Sequence, residues 1–154
     1  MYLWLVALHL VGLVVFLLAH GVSIWVSFRV RGERNRDVIA ALLGLSLRAS
    51  QVLYLGLLLL GIGGLGAAFT AGWLATPWNL ASYVVVVAVL AVMYSIASPY
   101  YHGLRAGLEG AVGAPPLDDE ALVARLRSRR PESVALVGGS GLVILVLLMV
   151  LKPG

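Results

Sequence analysis

The chain has 154 residues, of which 61% are hydrophobic and only 12% charged, and its mean hydropathy is +1.00. An ordinary soluble domain carries about twice that charged fraction, so a large water-soluble body is excluded. There is no cysteine, which removes disulfides, thiolate metal sites and thiol chemistry together. The net charge of +4 does not point to nucleic acid, because the positions of the basic residues explain it otherwise. Arg29, Arg31, Arg34, Arg36 and Arg48 surround the first connection. Arg105, Arg125, Arg127, Arg129 and Arg130 surround the third, and only Lys152 falls elsewhere. Such asymmetry predicts both basic loops in the cytoplasm and both termini outside, in the inner (cytoplasmic) membrane.

Four apolar runs approach or exceed the ~20 residues that a spanning helix requires. They predict an all-α, four-helix up-down bundle forming a single transmembrane domain, with spans at about 2–28, 46–71, 79–101 and 133–151. The first run is too long for a signal-peptide core and lacks a basic flank, so it reads as a retained helix. The second span has a lead-in that Asp37 can cap. The uncharged connection "AGWLATPWN" turns the chain, and its Thr76-Pro77 step marks the start of the third helix. The first two connections are short, which predicts that helices 1–2 and 2–3 are antiparallel neighbours.

Residues 106–132 form a longer cytoplasmic connection. Pro115 and Pro116 interrupt it, and Asp118, Asp119 and Glu120 then open a short helix that closes on Arg127, Arg129 and Arg130. Acid first and base last complements a helix dipole. Its apolar stripe, Leu117, Ala121, Leu122 and Leu126, suits either the membrane surface or a solvated amphipathic helix.

Small residues recur every four positions in the second span, as Gly63-Ala67-Ala71 and Gly64-Ala68-Gly72. Ala135 and Gly139 repeat that spacing in the fourth. Close helix contact through such faces replaces the hydrophobic drive that lipid removes. Gly63, Gly64, Ala67, Ala68 and Gly139 therefore mark surfaces for a helix of the same bundle, a second copy or a membrane partner.

The chemistry-bearing residues gather on one stripe. His9 and His20 lie three turns plus about 20° apart, on one face and separated by ~16 Å along the axis. Gly12, Phe16, Ser23 and Ser27 share that face, which should turn towards other helices. Tyr94, Ser98, His102 and Arg105 form a matching stripe on the third helix, and Arg48, Gln51 and Tyr54 enter from the second. The cytoplasmic third of the bundle is thus expected to hold a polar cluster. Histidines bonded to backbone carbonyls are ordinary helix contacts, whereas a histidine-ligated haem b is the sharper alternative, through His9 or through His20 with His102. The spans hold no acid to relay protons or to orient a histidine as the base for a serine nucleophile, so the residues lean towards a non-enzymatic component.

"YLWLVALHLVG" resembles the opening of the HemJ-type protoporphyrinogen oxidases, whose first helix carries a tryptophan and, five residues on, a haem-linked histidine; here these are Trp4 and His9. That family also carries a lysine between the two and a later arginine, where this chain has Val6 and no base before Arg29. These departures count against porphyrinogen oxidation and leave tetrapyrrole binding open. "RASQVLYLGLLLLGIGGLG" is similar to the second helix of four-span bacterial membrane proteins allied to the copper-resistance D-like group. That likeness implies a bundle and no particular activity.

Overall fold

A computed structural model describes residues 1–110 and 115–153. Helix α1 spans Tyr2–Arg29, a 3-10 turn Val30–Gly32, α2 Arg36–Thr70, α3 Pro77–Glu109, α4 Asp119–Leu126 and α5 Arg130–Leu151. There is no strand among the described residues. Four of the helices are long and apolar enough to cross a membrane, and the chain is an all-α multi-pass membrane protein.

Local chemistry sets the helix ends. Asn35, rather than Asp37, caps α2, its side-chain oxygen accepting from the Asp37 backbone N–H. Thr76 precedes Pro77 at the first position of α3, as its fixed φ favours. Asp118 caps α4 by accepting from the Ala121 N–H. Helix α3 runs eight residues past its expected end, so His102 and Arg105 are helical residues and the connection begins only after Glu109.

The helices pack as two antiparallel hairpins, α1 with α2 and α3 with α5. In the first, a Cβ on Gly12 would strike the backbone of Leu60, and one on Gly56 would lie 2.6 Å from the Phe16 nitrogen. Only glycine lets the two backbones come this close. In the second hairpin, Gly138 receives the Met93 side chain and Gly141 that of Val89. Helices α2 and α3, expected to be close neighbours, touch only sparsely. The bundle prediction holds, but its tight pairs are first-second and third-fourth of the spans.

The two ends of the molecule differ. At the end bearing the termini, Trp73 in the α2–α3 connection meets Tyr2 and Trp78 edge-on, and Lys152 lies 4.1 Å from its ring centroid. At the basic end, Val26, Val30, Ile39, Tyr100, Leu104, Leu122 and Leu126 form the buried core. Helix α4 thus turns the Leu122 and Leu126 part of its apolar stripe onto the protein itself. Leu122 and Leu126 are inserted between the hairpins, which removes both side chains from water.

Candidate functional site

Where α2 and α3 part, a cleft of about 810 Å³ opens in the basic half of the bundle. This lies within the ~300–1,000 Å³ of sites that enclose small ligands. Helix α1 supplies one wall through Phe16, His20, Ser23 and Ser27; α2 and α3 supply the flanks; Arg130, Pro131 and Val134 of α5 contribute at the basic end. Most of the lining is aliphatic or aromatic, with hydroxyls and two imidazoles set into it.

Of the polar cluster expected from sequence, His20, Ser23, Ser27, Tyr54, Tyr94, Ser98, His102 and Arg105 all line this cleft. His9, Arg48 and Gln51 do not. On α2 the polar stripe runs instead through Ser46, Ser50 and Tyr54, at the four-residue spacing of one helical face. That spacing was the available signal. Ser46 is itself buried, and its carbonyl accepts from Ser50 Oγ at 2.9 Å.

The histidines occupy three different settings. His9 Nδ1 donates to the Leu60 carbonyl at 2.8 Å, across the α1–α2 seam, and its ring lies over Gly64. Gly63 packs on the His9 backbone. Both glycines, read as a face for a helix of the same bundle, a second copy or a partner, serve the seam within this chain, and Ala68 of the same helix is buried. His20 stacks on Phe16, with ring centroids 5.8 Å apart, and has no protein hydrogen bond among the described residues. Its Nε2 is turned towards α5, where a Cβ on Gly138 would lie 3.4 Å away and 3.3 Å from Met93 Sδ. His102 is exposed at the cleft mouth. It lies nine residues beyond Met93, hence about 13 Å further along α3 than the level of His20.

Below His20 the polar groups are partly paired. Ser27 Oγ shares a 2.6 Å hydrogen bond with Tyr101 OH and also donates to the Ser23 carbonyl. Ser23 Oγ and Tyr100 OH are buried and lack a protein partner among the described residues. At the mouth, Arg105 pairs with Glu109 at 3.1 Å on an exposed surface. No group of three or more His, Asp or Glu side chains that could hold a metal ion occurs among the described residues.

The arrangement can enclose a mainly apolar molecule and offer it hydroxyl and imidazole hydrogen bonds. The carboxylate in its lining, Glu109, pairs with Arg105, and neither cleft histidine is hydrogen-bonded to a carboxylate among the described residues. No family profile, curated protein or solved structure shows significant similarity to the chain.

Proposed function

We propose that this is a non-enzymatic component of the inner membrane whose working part is the cleft, a binding site for an amphipathic molecule drawn from the cytoplasmic leaflet. The cleft itself carries the reading: a bundle built only to span a membrane closes such a volume with side chains, as close-packed interiors do. Both basic loops flank its mouth, and the positive-inside asymmetry assigns that end to the cytoplasm. The exposed Gly139 face of α5, with nothing within 4 Å of a Cβ built there, is where a second copy or a membrane partner would pack.

The test is mass spectrometry of protein purified in mild detergent. A co-purifying amphipathic molecule is expected in the wild type and is lost in Gly44→Trp. A Cβ at Gly44 meets nothing within 4 Å, so the new ring enters the cleft without disturbing the helix seam. Wild-type protein that carries nothing, or a variant that retains the molecule, overturns the reading.

A haem b occupant is the second reading, favoured by one observation: His20 lines the cleft without a protein hydrogen bond among the described residues. Ligation by His20 together with His102 does not fit, since two axial nitrogens on one iron cannot be ~13 Å apart in depth. His9 is committed to Leu60. His20 would then be a single axial ligand. A visible spectrum with and without dithionite decides it. A haem band lost in His20→Ala and kept in His9→Ala supports this occupant, and a colourless preparation from haem-replete cells ends it.

A further inference from the structure

The two hairpins meet at both ends, and between the ends α1 touches α5 where His20 lies against Gly138, while α2 and α3 part. At the terminal end the aromatic cluster of Tyr2, Trp73 and Trp78, with Lys152 against it, brings together α1, the α2–α3 connection, α3 and the end of α5. At the basic end the join runs through α4. Two bonds fasten the α4 segment to α3: Leu117 N–H donates to the Gly107 carbonyl at 2.9 Å, and Arg125 donates to the Gly103 carbonyl at 2.9 Å. Helix α4 therefore travels with the α3–α5 hairpin.

The polar groups that reach across from the other hairpin to the α4 segment and the start of α5 are a pair of arginines. Arg31 donates to Glu132 at 2.6 Å and to the Ser128 carbonyl at 2.7 Å. Arg36 pairs with Asp119 at 2.8 Å and also donates to the Leu117 carbonyl. Behind them Leu122 and Leu126 sit between Val26, Val30 and Ile39 of one hairpin and Tyr100 and Leu104 of the other. Further up, the cleft separates α2 from α3. Its width is therefore set largely from its two ends, and the basic end is held by the buried contacts of Leu122 and Leu126 together with ion pairs on a partly exposed surface. Pairs of that kind are individually weak and exchange readily.

We propose that α4 with Arg31 and Arg36 is a latch that controls access to the cleft: the two hairpins turn as separate bodies about the Trp73 cluster, and releasing the latch widens the gap between α2 and α3. The inference rests on the binding reading of the cleft and adds how an occupant enters between the two helices. A hinge-type motion of this kind needs two well-packed bodies and a sparse joint, and the glycine seams within the hairpins provide the first.

The absence of cysteine allows nitroxide pairs to be introduced without background labelling. In full-length protein in lipid vesicles, Val52→Cys with Val92→Cys reports across the cleft, and Val14→Cys with Leu58→Cys reports within the first hairpin. All four positions are exposed. In Arg31→Gln/Arg36→Gln the cross-cleft distance is expected to lengthen and broaden while the within-hairpin distance stays fixed. Arg36→Asp combined with Asp119→Arg, in an otherwise wild-type chain, restores the closed distance that Arg36→Asp alone loses. An unmoved cross-cleft distance, a within-hairpin distance that moves with it, or a charge swap that restores nothing overturns the latch. These distances do not require an occupied cleft. An empty cleft with a shifting distance overturns only the binding reading, and a loaded cleft with a fixed distance overturns only the latch.

Discussion

The α1–α2 seam and the α2–α3 gap join consecutive helices in the same way, through short connections between antiparallel spans, yet one is closed along its length and the other is open. The difference lies in the size of the facing side chains. Across the seam stand Gly12, Gly56 and Gly63, and the backbones come together. Across the gap stand Leu47, Leu53, Leu57 and Tyr54 on α2 against Leu90, Tyr94 and Tyr101 on α3. In lipid, close approach of two backbones depends on small facing residues, and the bulky side chains on these two faces keep α2 and α3 apart. Connection length sets which helices are sequential neighbours; side-chain size at the surface decides which of them pack.

The largest expected effect falls on the seam. Gly56→Leu places a Cβ 2.6 Å from the Phe16 nitrogen, a backbone atom that cannot step aside. Overpacking ordinarily costs ~1–3 kcal/mol, and a backbone clash belongs at or beyond the upper end. Gly44→Leu and Gly139→Leu meet nothing within 4 Å and should stay within ~0.5 kcal/mol. Thermal unfolding in one detergent compares all three, and equal losses would erase the distinction between seam and gap. Next comes Leu126→Ala, which empties a fully buried site where α4 closes the basic end of the gap. A cost of about 2–3 kcal/mol is expected, in the lower half of the range for such truncations because a short helix can settle inward. A loss below ~0.5 kcal/mol would show that α4 is not part of the core.

Much of this architecture was legible. Four apolar runs, the Thr76-Pro77 start and the two arginine-rich connections fix the spans, because each rests on local composition. The inward face of α1 was also legible, since His9, Gly12, Phe16, His20, Ser23 and Ser27 share it by helical period alone. What each residue meets on that face was not. His9 goes to α2 and His20 to α5, a choice set by which neighbouring helix offers a glycine at the right level. On α2, Arg48 and Gln51 drew attention by their polarity, although both are exposed and lie off the cleft; Ser46 and Ser50 are less conspicuous and stand on its wall. The docking of α4 depends on residues about a hundred positions apart in the chain, such as Val26 and Leu126, which no local pattern connects.

The His9 contact sharpens the seam at a smaller scale. His9→Leu keeps the bulk over Gly64 and removes the bond to the Leu60 carbonyl. Interhelical hydrogen bonds in membranes are worth ~0.6–1.7 kcal/mol, so a fall of about 1 kcal/mol is expected. Any visible absorption should survive, because His9 stands away from the cleft. Loss of colour at full stability would reverse the roles assigned to His9 and His20.

The smallest effect tests the basic-end joint by pH. Hydrogen bonding from Arg31 holds the Glu132 carboxyl below its ordinary value of 4.5; desolvation opposes the shift, and the Arg31 and Arg129 charges add to it. A carboxylate whose folded pKa is depressed contributes stability above its unfolded pKa, and loses it as pH falls through the folded value. Wild type should therefore melt slightly above Glu132→Gln at pH 7, and the two curves should converge below pH 4.5. Glu33 is likewise held low, by the Asn35 and Arg34 backbone N–H groups, but it is present in both proteins and cancels in the difference. The exposed setting of the pair means that added salt should shrink the gap at pH 7 as well. A difference that persists unchanged at pH 3 would assign the role of Glu132 to packing at the start of α5, and leave Arg31 joined to the other hairpin through the Ser128 carbonyl alone.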